Sequence, residues 1–200
     1  MKKNNLYVFL IIAIIAVAIA GGICFNKKAK AGKLTDENVQ EKIGKHLEWF
    51  SAAYDGEIYG WPRIYVYKDV TDKVTIPNIE RSSYAAIFEI QGITSKEDIK
   101  NELAKYVDSS KFNKFEVVDG EDFLGGLTEY NGKVYWINGG IGDAPTINVS
   151  SAKVISSEKG ISKVKLAIDN PFVETEPYVI VTVEYKNGKF LITDWEEVNE

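Results

Sequence analysis

The sequence predicts an α+β fold: an N-terminal transmembrane or signal helix, then one domain in which one or two amphipathic helices pack on a curved antiparallel sheet. Three observations carry this reading. Residues 6–25 form an uncharged, almost wholly apolar run of about the length that crosses a bilayer. Residues 35–107 hold two stretches with helical periodicity, and residues 127–192 alternate strand-like runs with turn dipeptides. Helices first and a strand meander second is the order of an α+β domain. The chain accordingly divides into a transmembrane anchor or signal segment (1–25), a basic linker (26–34) and an exported α+β domain (35–200).

Lys2 and Lys3 ahead of the apolar run suit either a retained anchor or a secretory signal. Ala18-Ile19-Ala20 and Ala29-Lys30-Ala31 offer small residues to a signal peptidase, but the first lies inside the run and the second in a charged stretch. Cys24 follows Ile23, where a lipid-modified cysteine wants a small neighbour. The larger lysine cluster trails the run and by itself favours a cytoplasmic domain, yet long domains translocate regardless of such charge. The expected location is therefore a single-pass cell membrane with the domain outside, or secretion if the leader is cut.

Within the domain, Thr35 is placed to cap a helix with Asp36 and Glu37 in its first turn. Val39, Ile43, Leu47, Phe50 and Tyr54 recur at spacings of four and three, which puts them on one face. Gly56, Gly60 and Pro62 end that helix, and Ile64 to Tyr67 reads as a strand. Ser83 to Ile90 is a second extended segment, and Thr94-Ser95-Lys96-Glu97 reads as a capping box that opens a helix through Ile99 and Leu103. Asn131-Gly132 and Asn187-Gly188 each lie between strand-like runs, the preferred pair for a type I′ hairpin turn. A third hairpin is expected around Glu158-Lys159-Gly160. The closing run from Glu184 to Trp195 looks like the last hairpin of cone-shaped NTF2-like domains.

Charge and residue types narrow the function. All 29 acidic residues lie from Asp36 onward, while five of the 24 basic ones are Lys2, Lys3, Lys27, Lys28 and Lys30; from Gly32 on the formal charge is thus 19 minus 29, or −10. Such a surface repels nucleic acid and favours a cationic partner. The domain has no cysteine and one histidine, His46, at the edge of the first helix's apolar face. No Gly-x-Ser-x-Gly elbow accompanies it, so nucleophilic hydrolysis lacks its usual residues. Asp119, Glu121 and Asp122 form a dense acidic run without the register of an EF-hand, and Gly139-Gly140-Ile141-Gly142 lacks the Gly-Lys-Ser/Thr of a phosphate cradle. No metal, cofactor or catalytic residue is expected. Tyr54, Tyr59, Trp61, Tyr65 and Tyr67 crowd a stretch broken by glycine and proline, with Asp55 and Glu57 beside them. Exposed aromatics supply contact area at low entropy cost, so Asp55, Glu57, Tyr59, Trp61 and Tyr65, with Asp143 in the glycine loop, form the expected partner-binding set.

A family resemblance then gives this surface a partner. A helix running into Tyr54-Asp55-Gly56-Glu57-Ile58-Tyr59-Gly60, the Ser95-to-Leu103 helix, and Tyr130 to Tyr135 leading into Asn138-Gly139-Gly140-Ile141-Gly142 together resemble the IseA-type inhibitors of bacterial cell-wall DL-endopeptidases, over residues 35–198. The resemblance implies a non-enzymatic extracytoplasmic protein that binds NlpC/P60-type peptidoglycan hydrolases at their cysteine–histidine site and restrains autolysis. A retained anchor departs from that pattern. The alternative is an NTF2-like ligand-binding or sensor module anchored at the membrane, whose cone holds a small molecule. A filled interior favours the first reading and an open one the second.

Overall fold

The computed structural model describes residues 32–55, 64–77, 79, 86–111, 126–138, 145–170, 172 and 176–198. The apolar run 6–25, the acidic run at Asp119, Glu121 and Asp122, and the glycine loop through Asp143 lie outside the described residues. Among the described residues no helix is long and apolar enough to cross a membrane.

Among the described residues the fold has two named helices and two four-stranded antiparallel sheets. In chain order they are α1 (Val39–Asp55), β1 (Tyr67–Asp69), β2 (Ala86–Ile90), α2 (Lys96–Leu103), β3 (Leu127–Tyr130), β4 (Lys133–Asn138), β5 (Thr146–Glu158), β6 (Ile161–Asp169), β7 (Tyr178–Lys186) and β8 (Lys189–Val198). The single curved sheet expected from the sequence is thus two sheets, and this is a correction. The first has strand order β1-β2-β4-β3 and the second is the meander β5-β6-β7-β8. The split arises because the β3–β4 hairpin pairs back across α2 onto β2, with Phe88 opposite Trp136, rather than extending the meander.

All three hairpins form where expected. Asn131-Gly132, Lys159-Gly160 and Asn187-Gly188 each place two consecutive residues at positive φ (51° and 70°, 49° and 82°, 54° and 82°), the backbone a type I′ turn demands. Other boundaries move. The first strand is Tyr67–Asp69 rather than 64–67, because pairing with β2 starts at Tyr67 opposite Ile90. The capping box sits one residue later than the sequence suggests. Ser95 is the N-cap, its Oγ accepting from the Asp98 N–H at 3.2 Å, while Asp98 Oδ2 accepts from the Ser95 N–H at 3.0 Å and from the Thr94 hydroxyl at 2.8 Å. Thr94 fits the motif equally well but serves as the outer partner. Ahead of α1, Asn38 Oδ1 accepts the Thr35 N–H at 2.9 Å, and the Thr35 carbonyl accepts the Val39 N–H at 2.9 Å.

One main core joins everything. Ile43, Leu47 and Phe50 of α1 are fully buried against Val164, Leu166, Val181, Val183 and Ile192 on the inner face of the second sheet. Ile90, Leu127, Val134 and Trp136 bring the first sheet into the same cluster, with Ile99 and Leu103 of α2. Period-two alternation turns the neighbours Ile87 and Tyr135 to the opposite face of the first sheet, where Val70 and Ile76 cover them as a second, smaller cluster. α1 is buried over a wider arc than its predicted stripe, for Trp49, Ala52 and Ala53 are buried as well.

Two devices hold the layers together. At Val107 the chain forms a parallel bridge to Ile192; the Asp108 N–H donates to the Ile192 carbonyl (2.8 Å) and the Ile192 N–H to the Tyr106 carbonyl (2.9 Å). Beside it, Thr182 opposes Asp194 and Val183 opposes Ile192, so Thr193 is a bulge in β8. The other device is a strap at Gly32 to Asp36. The Leu34 N–H donates to Ser157 Oγ (3.0 Å), Asp36 Oδ1 accepts the Val154 N–H (2.7 Å), and Leu34 is buried. Glycine is required at its start: a Cβ on Gly32 would lie 2.5 Å from the Tyr185 ring.

Candidate functional site

α1 and α2 form the walls of an open cleft of ≈ 510 Å³. Lys45 and Trp49, one turn apart on α1, line one side; Asp98, Asn101 and Glu102, at spacings of three and four on α2, line the other. Ile99 and Leu103 point the opposite way into the core, which is what leaves the polar face of α2 for the cleft. Ile64, Tyr65 and Ile93 complete the lining. Trp49 is only 3% exposed and is fixed by its neighbours, stacked on Tyr106 (centroids 5.5 Å, planes 17° apart) and edge-on to Tyr65 (5.7 Å, 89°). The N-terminus of α2 is fixed in turn by the Glu129 carboxylate of β3, which accepts the Lys96 N–H.

The titratable groups here are pushed away from neutrality. Burial raises the Tyr65 phenol, with the carboxylates of Glu102 and Asp98 adding to the shift, so the hydroxyl stays protonated. Hydrogen bonds from Thr94 and Ser95 lower Asp98, and the Lys105 ammonium with the Tyr106 hydroxyl lowers Glu102. Lys45 is raised by its contact with Tyr106, its ammonium lying 5.2 Å from the centre of that ring. A general acid or base works best with a pKa near the operating pH. The shifts at Tyr65, Asp98, Glu102 and Lys45 each run away from that range.

His46 follows the same rule. Its Nε2 contacts the Phe190 carbonyl at 3.0 Å and its ring meets Tyr106 edge-on at 5.2 Å, while Nδ1 is buried and among the described residues has no hydrogen-bond partner. Burial lowers its pKa, with the Lys45 charge adding to that and the Phe190 carbonyl opposing it. At the edge of the apolar face of α1, it sits half-buried at the junction of α1, Tyr106 and the β7–β8 hairpin.

Of the expected partner-binding residues, Glu57, Tyr59, Trp61 and Asp143 lie outside the described residues. Tyr65 lines the cleft. Asp55 is engaged internally at the end of α1, its Oδ2 accepting from Ser51 Oγ (2.9 Å) and its Oδ1 from the Ile147 N–H (3.2 Å). It thereby ties the helix to the start of β5. Tyr54 is likewise committed, its hydroxyl donating to Glu197 of β8. Lys45, Trp49, Asp98, Asn101 and Glu102 were missed by sequence reasoning, and the available signal was the polar face Asp98-Asn101-Glu102 opposite Ile99 and Leu103.

A second cleft, ≈ 370 Å³, opens between Glu48 and Ser51 of α1 and residues 146–149 of β5, with Asp169 at its rim. It sits beside an irregularity in which the β5–β6 register jumps from Asn148 opposite Ala167 to Lys153 opposite Lys165. Ser151 Oγ repairs the ladder there by accepting the Ala167 N–H at 2.8 Å. Among the described residues no group of three or more His, Cys, Asp or Glu could hold a metal ion. Searches of family models, curated proteins and solved structures returned no match to this chain.

Proposed function

We propose that this chain is a non-enzymatic extracytoplasmic inhibitor that binds NlpC/P60-type peptidoglycan DL-endopeptidases and restrains autolysis. The observation that carries the reading is the solid interior of the second sheet. Where a ligand-binding cone would be open, Ile43, Leu47 and Phe50 cover the inner face of the sheet against Leu166 and Val181, all at 0% exposure. Recognition then falls to the outer surface, and the aromatic-floored α1–α2 cleft with Tyr65 is the part we assign to it; Glu57, Tyr59 and Trp61, close to Tyr65 in the sequence, and Asp143 are further contacts proposed from the sequence. The arrangement of α1 on its meander is NTF2-like in this reading, and residues 6–25 anchor or export the domain. The −10 charge steers it toward a cationic enzyme.

The test uses the full chain with a purified NlpC/P60-type endopeptidase and isolated peptidoglycan. The rate of fragment release is expected to fall toward zero at saturating chain, and the inhibition to weaken as added salt screens the charges. Undiminished cleavage at saturation removes the proposal.

A further inference from the structure

The α1–α2 cleft holds polar groups with unused hydrogen-bonding capacity, and their kinds form a pattern. The Tyr65 hydroxyl is buried and among the described residues has no hydrogen-bond partner, a costly state for a donor that stays protonated. Asp98 spends Oδ2 on Thr94 and Ser95, and among the described residues Oδ1 accepts nothing. Asn101 is exposed on the same face of α2, and among the described residues its side-chain amide makes no hydrogen bond. One donor, one ionised acceptor and one amide that is both thus converge on the apolar surface of Ile64, Ile93 and Trp49.

That set is complementary to a polypeptide main chain, which offers carbonyl acceptors and N–H donors in alternation. We propose that the cleft binds an extended peptide segment of a protein partner, Tyr65 donating to a carbonyl, Asp98 accepting an N–H, Asn101 pairing with a peptide group, and a small apolar side chain resting on Trp49 and the isoleucines. Charge agrees with this choice. Among the described lining residues Lys45 is the one cation, its ammonium lies over the Tyr106 ring, and Asp98 and Glu102 outnumber it, which disfavours a phosphate or a nucleotide. The volume suits a few residues of chain. The inference rests on the reading of the chain as a protein-binding inhibitor, and names what the cleft takes hold of.

The probe is acetyl-Ala-Ala-Ala-amide, whose blocked ends leave only main chain and methyl groups to be recognised, titrated into the ¹⁵N-labelled full chain. Saturable shifts of the Trp49 indole and Asn101 amide resonances are expected, with affinity about fivefold weaker in each of Asn101→Ala and Tyr65→Phe, the size of one lost hydrogen bond. Unfolding midpoints of the two variants establish that they remain folded. No saturable shift, equal binding by the variants, or equal shifts with N-acetylglucosamine overturns the inference. Inhibition of the endopeptidase without tripeptide binding sinks this inference alone; tripeptide binding without inhibition sinks the functional reading alone.

Discussion

At His46 an imidazole is held where its charged form is unwelcome. Nε2 is engaged by the Phe190 carbonyl, Nδ1 faces no acceptor among the described residues, and Lys45 adds a like charge. The folded pKa therefore lies below the ordinary value of 6.5, so between the two values the unfolded chain takes up a proton that the folded chain refuses. Stability from this source is complete above about 6.5 and is lost as the pH falls through that value toward the folded one. Urea midpoints are expected to drop between pH 7.5 and 5.5, and His46→Gln is expected to flatten that drop. Asp55 makes the opposite kind of residue, an acceptor serving the donors of two buried residues. Asp55→Ala leaves the Ile147 N–H and the Ser51 hydroxyl without it and is expected to cost about 1–3 kcal/mol by urea unfolding. The sequence shows Asp55 only as an acid beside aromatics; its pull on Ile147, 92 positions away, depends on where β5 begins.

At the scale of elements, what was legible in the sequence is what local chemistry decides. Asn131-Gly132 and Asn187-Gly188 announce their hairpins because few other residue pairs accept two positive φ angles in succession. The α2 helix was visible for the same reason, although Thr94 and Ser95 fit the cap equally well and only the fold places Ser95 in it. Ser95→Ala is expected to lower stability by about 1 kcal/mol, read from the unfolding midpoint, and to speed amide exchange in the first turn of α2. The pairing of β2 with β4 was not legible, since no local signal tells Ala86–Ile90 to wait for Lys133–Asn138 rather than a nearer strand. β1 was misplaced because its residues are all exposed and carry no alternation. The cleft was hidden because its walls come from residues near 45, 65 and 100 that meet only after both helices dock.

Across the whole molecule, both sheets draw on one core, with Trp136 and Val134 in the same cluster as Phe50, Val164 and Val181. Separate unfolding of the sheets is therefore not expected. Far-ultraviolet and near-ultraviolet signals should fall in a single coincident transition. Phe50→Ala, which empties the centre of that cluster, is expected to shift it by about 3–5 kcal/mol. The strap at Gly32 to Asp36 bears on how such a body hangs from whatever lies ahead of it. Leu34 and Asp36 are bonded along β5 at Ser157 and Val154, and Gly32 is wedged against Tyr185. Tension applied at Gly32 is thereby delivered to a strand of the main sheet before any of it reaches α1. The attachment behaves as a clamped bracket and not a swivel, so turning the preceding chain turns the cleft with it.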